Sequence, residues 1–444
     1  MTAPAARGDR LLSVEEAREQ VLTGLSPLDD TRAVAPEAAL GGVLAEDVVA
    51  GVALPPWDNS AMDGYAIRSA DTAGASEEAP VRLAVVGEVP AGRAAEVRVG
   101  PGEALRIATG APVPDGADAV VPVEQTTPID AEGAAGARGR DAAGPLPAAC
   151  LVHVEVPPGG SIREVGSDIR AGVRIAEAGR VVTPAVVALA AGSGVTEVRV
   201  RRRPVVAVLA TGDEVRSPGE PLGSAGIPDA NGPGLRSLVR AAGAEALDLG
   251  IARDELDDVR ARLRRGIDEA DAVIVSGGVS VGPYDVVKLA FDEVGRMELW
   301  RVAVQPGKPF AFGHAERPGR PPALLFGLPG NPVSSFVTFD LFVRPALRRL
   351  AGHRVIDRPA DRGVMLEAAS KSAGRRAFIR VIAEREPDGR VARDGRGRVR
   401  VSLAGGQGSH VLSALVAADA LAVIPESVAG VVPGDEVELR WLEG

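Results

Sequence analysis

The sequence predicts a multidomain α/β protein in which one domain holds a parallel sheet and the others are mixed or β-rich. Its 444 residues exceed what one core accommodates, because domains average roughly 150 residues. From residue 204 to residue 353, strand patterns alternate with helical patterns, as in parallel sheets with right-handed crossovers. On both sides of this segment, short β-rich pieces are separated by Pro and Gly, which is typical of small β domains.

Two short helices are predicted outside the parallel-sheet domain. The first follows Ser13 and Glu16, which fit a capping box ahead of apolar residues at helical spacing. The second covers residues 183–191, with Pro184 at the first helical position. We expect both in one discontinuous N-terminal domain of helical or mixed character, residues 9–45 plus 166–203. The basic run 199–203 predicts a solvated linker ahead of the next domain.

A β domain is predicted at residues 46–165, inserted between the two parts of the N-terminal domain. Within it, Ala, Gly, Arg, Asp and Pro dominate residues 129–149, which therefore bury too little apolar surface to offset the entropy of ordering. This segment predicts a flexible loop. The parallel-sheet domain follows at residues 204–353, and a small C-terminal β domain is predicted at residues 357–444.

Composition and charge exclude several classes of function. Asp and Glu total 60 against 50 Lys and Arg, and a formal net charge of −10 disfavours binding to nucleic acid or anionic membranes. No apolar run approaches the ~20 residues that span a bilayer, and no secretory apolar segment follows the first residues, so we expect a cytoplasmic protein. The single cysteine excludes an internal disulfide, and four scattered histidines give no support to a zinc site or a Ser/His triad.

Two apolar strand patterns end alike, in a glycine turn followed by carboxylates. They are residues 205–214, VVAVLATGDE, and residues 272–285, AVIVSGGVSVGPYD. In open α/β sheets, ligands bind beyond the carboxyl ends of the strands, where these turns fall. Glycine lets backbone N–H groups close on a phosphate, while Asp213, Glu214 and Asp285 supply the oxygen ligands that Mg²⁺ prefers. The pattern therefore predicts a site for phosphate and a divalent metal.

Six other motifs each allow a functional and a purely structural interpretation. PPWDNSAMDGYA (55–66), TGAPVP (109–114) and GSD (166–168) are explained by turns as well as by a site. QPGKP (305–309) does not match a Walker loop, so Lys308 either holds an anion or is an ordinary loop lysine. In GLPGNPVSS (327–335), Asn331 and Pro332 predict a helix start that can be a cap, an oxyanion site or both. GGQGSH (405–410) is a similar loop, with Ser409 as cap or ligand contact.

Taken together, seven motifs resemble the molybdopterin molybdotransferase family, whose members insert molybdate during synthesis of the molybdenum cofactor and include the terminal domain of gephyrin. The motifs occur in the family's order over nearly the whole chain, and seven in series are specific although each alone is weak. They are PPWDNSAMDGYA, TGAPVP, TGDE, SGGVSVGPYD, QPGKPFAFG, GLPGNPVSS and GGQGSH. The segment 129–149 departs from the family pattern.

The resemblance implies a fold, partners and a reaction. By resemblance to the family, we expect an L-shaped homodimer whose chains each have four domains, with the molybdopterin-binding α/β domain third and the small β domain last. The implied enzyme is a transferase that binds adenylylated molybdopterin beside molybdate and Mg²⁺, breaks the pyrophosphate link, releases AMP and leaves molybdenum on the dithiolene. Transient contacts with the molybdopterin adenylyltransferase and with molybdoenzymes are further expected partners.

The same resemblance implies roles for site residues. The catalytic carboxylates would be Asp58, Asp168, Glu214, Asp254 and Asp285, and the metal ligands Glu214, Asp254 and Asp285. The substrate-binding residues would be Thr109, Thr211, Gly212, Asp213, Ser276, Gly277, Gly278, Ser280, Gly282, Arg301, Gln305, Lys308, Pro329, Asn331, Arg380 and Ser409. Thr109 would act across the dimer interface. Gln305 departs from the pattern, since many members have lysine there, and the planar fork of Arg301 could compensate for that lost cation.

Two other functions stay open. A molybdopterin adenylyltransferase has a single domain that resembles the third domain here and shares its glycine loop, but the extra domains argue against it. A non-catalytic molybdopterin-binding scaffold would keep the fold without the chemistry, which the intact set of acidic residues disfavours.

Overall fold

The computed structural model describes residues 11–139, 144–278 and 286–442. The chain forms two compact units. Of the described residues, the larger unit contains those up to Arg32, Gly179–Val181 and those from Val200 onward, and the smaller unit contains Ala33–Ala178 and Val182–Arg199. The four predicted domains, including the discontinuous N-terminal one, stay a prediction.

Helices Val14–Leu22 and Pro184–Gly192 begin where their capping residues predict. Ser13 accepts a hydrogen bond from the Glu16 backbone N–H while Glu16 bonds back to Ser13, which confirms the capping box, and Pro184 opens the second helix. The α-helices are Val14–Leu22, Pro184–Gly192, Asn231–Ala241, Leu256–Glu269, Val286–Val294, Pro332–Thr338, Arg344–Leu350 and Leu412–Ala417, with a π-helical turn Phe339–Val343 and 3₁₀ turns Glu37–Ala39, Ser69–Thr72 and Val123–Gln125. None of the helices in the described ranges is long and apolar enough to cross a membrane.

The smaller unit is built on a six-stranded sheet. Its strands lie in the order Ala119–Pro122, Gly64–Ile67, Glu103–Ile107, Val81–Val89, Ala149–Val152 and Thr126–Ile129. Short pairs join Val48–Val49 to Arg174–Ala176 and Asn59–Ser60 to Ile162–Arg163. The segment 129–149 starts and ends in the last two strands of the sheet, which pair with each other. Residues 140–143 lie outside the described residues, and the flexibility of the loop stays a prediction.

The larger unit contains a second six-stranded sheet, and four of its strands are parallel as expected. The strand order is Glu245–Ala252, Val205–Thr211, Ala272–Ser276, Arg320–Leu328, Pro309–Arg317 and Arg296–Arg301. The last two strands are antiparallel additions at one edge, which the sequence reasoning missed. Residues 302–308 connect these two strands, and a two-residue turn leads from Pro309–Arg317 to Arg320–Leu328. No helix lies in either connection, so the strand-helix alternation that indicates a parallel sheet is interrupted there.

Helices cover both faces of this sheet, which is why its central strands are almost wholly apolar. One core cluster contains residues of helices Val14–Leu22, Asn231–Ala241 and Pro332–Thr338, together with Phe310 and Phe326. The other cluster contains residues of helices Leu256–Glu269 and Val286–Val294. With both faces covered, the exposed carboxyl edge of the parallel strands is left for a ligand.

The C-terminal residues form a small closed β structure. Strand Arg376–Ala383 pairs with both Val399–Leu403 and Ala420–Ile424, so the ring closes through Ala360–Met365 and Glu436–Trp441. Shorter strands are Thr31–Val34, Val198–Arg201, Val215–Arg216, Ile227–Pro228, Val304–Gln305, Ala369–Ser370 and Gly430–Val431. The helix Leu412–Ala417 corrects the expectation of an all-β C-terminal texture; it follows the glycine loop 405–408.

The basic run 199–203 is not simply a solvated linker. Arg202 donates two hydrogen bonds to Asp271, at 2.8 and 3.2 Å, and one to Asp30 at 3.0 Å. Asp271 is 5% exposed and also accepts the Val205 backbone N–H at 2.8 Å. The partner of this arginine is 69 residues away along the chain, so sequence texture alone could not reveal the pair.

We expect Asp271→Asn to lower the free energy of unfolding by about 2 kcal/mol, because it removes the charge of a buried carboxylate that accepts hydrogen bonds from a partly exposed arginine. Burial raises the pKa of Asp271, but hydrogen bonds from Arg202 and the Val205 N–H outweigh it and leave the pKa below its usual value. The stabilisation is therefore complete above the unfolded pKa and is lost as pH falls through the folded one. Urea unfolding between pH 7 and pH 3 measures both effects.

A matched control is Asp257→Asn, because that side chain is 92% exposed in its pair with Arg260. This change should alter the free energy of unfolding by no more than about 0.5 kcal/mol. If both variants lost the same free energy of unfolding, the Asp271–Arg202 pair would contribute no more to stability than an exposed ion pair does.

Candidate active site in the larger unit

A cavity of about 860 Å³ lies at the carboxyl ends of the parallel strands of the larger unit. Thr211 and Ser276 are the last residues of two neighbouring strands, and Pro329 follows the end of a third. Nine of the predicted site residues line this cavity: Thr211, Gly212, Glu214, Asp254, Ser276, Gly277, Gly278, Pro329 and Asn331. The placement agrees with the expectation that ligands bind where parallel strands end.

In the first glycine turn, the backbone of Gly212 lies close to the carboxylate of Glu214. Gly212 has a φ of +136°, which side-chain-bearing residues rarely adopt. A Cβ built on it would lie 2.6 Å from Glu214 Oε2, so glycine is required for the carboxylate to sit over this turn. The Gly212 N–H donates to the Ala252 carbonyl at 3.3 Å and so does not face the cavity as a phosphate donor.

The second glycine turn packs against the first. Gly277 has a φ of +94°, and a Cβ there would lie 2.8 Å from Thr211 Oγ1. Its N–H donates to the Leu328 carbonyl at 3.1 Å. The sequence predicts that the N–H groups of these glycines bind phosphate. For Gly212 and Gly277 this prediction is wrong, because both N–H groups donate to backbone carbonyls. Their positions require glycine because two chain segments approach closely there.

Two aspartates join the strand ends through reciprocal hydrogen bonds. The Asp254 N–H donates to Asp213 Oδ1 at 3.2 Å, and the Asp213 N–H donates to Asp254 Oδ2 at 3.4 Å. Both side chains are exposed, and Asp254 lines the cavity beside Glu214. Glu214 and Asp254 thus bring hard oxygen donors to one cavity, which is the ligand chemistry that Mg²⁺ prefers.

A side-chain network that the sequence reasoning missed fixes the far wall of the cavity. Asn231 Nδ2 donates to Ser276 Oγ and to the Gly330 carbonyl, each at 2.7 Å, and Ser335 donates to the Pro329 carbonyl. Asp229 also lines the cavity and accepts the Gly232 N–H at 2.8 Å. A signal was present, since D-A-N-G-P directly precedes a helical pattern at residues 229–233.

Helix Pro332–Thr338 begins as predicted, with Asn331 at its N-cap, but its first N–H is already engaged. The Asn331 side chain makes no capping hydrogen bond, and the Val333 N–H donates to the Ser409 carbonyl at 3.1 Å. Pro332 has no N–H. The oxyanion interpretation of this helix start therefore loses one of its donors, the Val333 N–H.

Several predicted site residues of the larger unit do not line the cavity: Asp213, Arg301, Gln305, Lys308, Arg380 and Ser409. Gln305 Oε1 accepts the Ser372 N–H at 2.9 Å. Arg380 is 1% exposed, and its Nη2 donates to the Gly406 and Gly408 carbonyls at 3.0 and 3.1 Å. Burial lowers the pKa of Arg380. The predicted residues Ser280, Gly282 and Asp285 lie outside the described residues.

Three predicted residues, Asp58, Thr109 and Asp168, belong to the smaller unit and are exposed. Thr109 donates through its N–H and its hydroxyl to Asp63 Oδ1, at 2.7 and 2.8 Å, and these two bonds hold the pKa of Asp63 below its usual value. Asp58 Oδ1 accepts the Val165 N–H at 2.7 Å. These contacts support the structural interpretation of the motifs as turns, and they leave one Asp58 oxygen for a ligand.

Metal binding can be judged only from part of the predicted ligand set. Within residues 11–139, 144–278 and 286–442, no three His, Cys, Asp or Glu side chains group closely enough to hold a metal ion. Asp285 falls between these ranges. Two carboxylates nevertheless fit Mg²⁺, which commonly uses one or two carboxylates together with substrate phosphates and water.

Three family models match the chain in succession. The MoeA N-terminal region (domain I and II) matches residues 12–194, a "Probable molybdopterin binding domain" matches residues 207–349, and the MoeA C-terminal region (domain IV) matches residues 362–441. The carboxylates that line the cavity lie within the second match.

Named relatives match nearly the full length. The chain is 39% identical over 407 residues to molybdopterin molybdenumtransferase 2 of Mycobacterium tuberculosis (strain H37Rv), covering 90% of this chain and 92% of that protein. It is 33% identical over 432 residues to the molybdopterin molybdenumtransferase of Haemophilus influenzae, covering 97% and 98%. Among solved structures, the molybdopterin biosynthesis protein MoeA of Pyrococcus horikoshii OT3 is similar with a TM-score of 0.77 and 29% identity, covering 97% of this chain and 100% of that chain.

Proposed function

The chain belongs to the MoeA family of molybdopterin molybdenumtransferases, and we propose that it is a transferase that inserts molybdenum into molybdopterin, using adenylylated molybdopterin and molybdate and releasing AMP. The observation that carries the proposal is the cavity at the carboxyl strand ends, where Glu214, Asp254 and both glycine turns meet. Its volume of about 860 Å³ suits a ligand of nucleotide size, since small-molecule pockets span roughly 300–1,000 Å³.

The carboxylates of the cavity set the electrostatic requirement of the reaction. Glu214 and Asp254 would repel a pyrophosphate group unless a cation lay between them. We assign these two residues, with Asp285, to Mg²⁺, which would offset the charge of the phosphates when bound. The absence of a side chain at Gly212 leaves room for the Glu214 carboxylate to lie over this turn and to line the cavity.

The cationic residues are assigned to the oxyanion substrate. In this proposal Arg301, Lys308 and Arg380 provide positive charge and Ser409 a hydroxyl group for molybdate, while Asp58, Thr109 and Asp168 act from the smaller unit. Gln305 contributes no charge, and its side-chain oxygen already accepts the Ser372 N–H. Arg380 contributes from a buried position, where a cation interacts more strongly with an anion than it does in water.

Release of AMP tests the proposal directly. Purified protein supplied with adenylylated molybdopterin, molybdate and Mg²⁺ should release AMP, measured by chromatography, and chelation of Mg²⁺ with EDTA should reduce the rate at least tenfold. Consumption of ATP with free molybdopterin would instead identify a molybdopterin adenylyltransferase. Binding of the adenylylated substrate without any AMP release would identify a scaffold.

Oligomeric state, partners and location follow from the same family assignment as further proposals. We infer a homodimer, in which Thr109 of one protomer serves the site of its partner, and transient contacts with the molybdopterin adenylyltransferase and with molybdoenzymes. The charge excess of −10 supports small anions handled through a metal rather than nucleic acid as a partner. A cytoplasmic location fits the synthesis of an intracellular cofactor.

A further inference from the structure

The cavity has an unusual balance of charge for one that receives phosphates. Three carboxylates line it, those of Glu214, Asp229 and Asp254, and no Lys or Arg side chain does so among the described residues. The adjoining residues 279–285, VSVGPYD, contain no Lys, Arg or His. His410 is therefore the one side chain lining the described part of the cavity that can carry a positive charge.

The two glycines at the strand ends do not supply a backbone donor to the cavity. The N–H groups of Gly212 and Gly277 both donate to backbone carbonyls. Four further positions that line the cavity have no N–H at all, namely Pro228, Pro309, Pro329 and Pro332. His410 can donate a hydrogen bond to a phosphate as imidazole or as imidazolium.

The loop that carries His410 is fixed against the cavity from two sides. In front, the carbonyl of the preceding residue, Ser409, accepts the Val333 N–H at 3.1 Å and so attaches the loop to the start of helix Pro332–Thr338. Behind, the buried Arg380 donates to the Gly406 and Gly408 carbonyls. A Cβ at Gly408 would lie 2.9 Å from His410 Cε1, so glycine leaves room for the ring. The His410 residue is exposed, and its backbone belongs to this attached loop.

We propose that His410 binds the nucleotide half of the substrate by donating a hydrogen bond to a phosphate oxygen of the adenylyl group. The proposal rests on the proposed function and adds a residue to it. His410 then supplies a hydrogen-bond donor, from a loop of the C-terminal β structure, to a cavity that Glu214 and Asp254 line with carboxylates. Arg380 has a positioning role here, because it holds the carbonyls of the loop.

The test uses AMP as the probe, titrated by calorimetry into the full-length protein with Mg²⁺ present. His410→Ala should weaken AMP binding roughly tenfold or more, as expected for the loss of a hydrogen bond to a charged group. His410→Lys should restore affinity to within a few-fold of the wild type, because an ammonium group also binds phosphate. Affinity for molybdate, titrated separately, should stay unchanged in both variants.

A matched control is His314→Gln, since His314 is exposed on strand Pro309–Arg317 of the same unit and does not line the cavity. It should leave AMP affinity unchanged, and thermal unfolding should confirm that all variants are folded. If His410→Ala binds AMP like the wild type, or if only its molybdate affinity falls, the assignment is wrong. If the wild type itself neither binds AMP nor releases it from adenylylated molybdopterin, the proposed function fails instead.

Discussion

Replacing Glu214 by Gln is expected to lower the rate of AMP release roughly 100-fold, the order found when a group that organises charge at a reacting centre is lost. The carboxylate lines the cavity and sits over Gly212, where a Cβ would lie 2.6 Å from Oε2. The amide preserves this shape but removes the charge that the proposed function assigns to Mg²⁺ binding. Initial rates of AMP release over a range of Mg²⁺ concentrations should show both a lower maximum and a higher Mg²⁺ requirement.

Glu255→Gln provides the matched control for Glu214→Gln. Glu255 follows Asp254 directly, is exposed and does not line the cavity, and its backbone carbonyl accepts a hydrogen bond from the Val259 N–H. We expect its rate of AMP release to remain within about twofold of the wild type. If the Glu214→Gln enzyme were as active as this control, Glu214 would not be a metal ligand. The proposal that a cation bridges the carboxylates of the cavity and the phosphates would then be wrong.

Phe326→Ala is expected to lower the free energy of unfolding by about 3–5 kcal/mol, which is typical of removing a buried aromatic side chain. Phe326 is fully buried in the six-stranded sheet that contains the parallel strands of the larger unit. The centroid of its ring lies 5.3 Å from the ring centroid of Phe312 and 6.5 Å from that of Phe310. The cavity that the change would leave lies between strands and the helices Asn231–Ala241 and Pro332–Thr338, whose packing limits collapse. Urea unfolding followed by circular dichroism measures the loss.

Leu289→Ala on helix Val286–Val294 is the comparison for this loss, because Leu289 is 49% exposed. It should cost no more than about 1 kcal/mol. Phe326→Leu should fall between the two, since it keeps most of the buried volume. If Phe326→Ala proved as mild as Leu289→Ala, the core beneath the candidate site would have to be looser than the structure indicates.

Sequence reasoning located the site because its main determinants are local. An apolar run that ends in glycine and a carboxylate marks both a buried parallel strand and the point where it stops, so Thr211, Glu214 and Ser276 could be placed at one sheet edge without a structure. The capping box at Ser13 and the helix start at Pro332 are local in the same way.

What sequence reasoning missed depends on contacts between distant segments. Asn231 is tied to Gly330, 99 residues away, and Arg202 to Asp271, 69 residues away, and no spacing rule connects either pair. His410 was noticed as one of four scattered histidines and as the last residue of the GGQGSH motif, but it was given no role, because its importance comes from the lack of other cationic side chains in the described part of the cavity. The glycine N–H groups were assigned to phosphate, whereas the sheet uses two of them to extend its hydrogen bonding.

The reciprocal bonds between Asp213 and Asp254 have a thermodynamic consequence for any ligand that reaches these turns. Each aspartate accepts the other's backbone N–H through one carboxylate oxygen, so these bonds restrict the rotamers of both side chains. Binding of a small cation would then cost little side-chain conformational entropy at either aspartate, which favours high affinity. Because the two hydrogen bonds are reciprocal, moving one aspartate weakens the bonds of the other. The turns that carry Asp213 and Asp254 should therefore move together when a ligand binds.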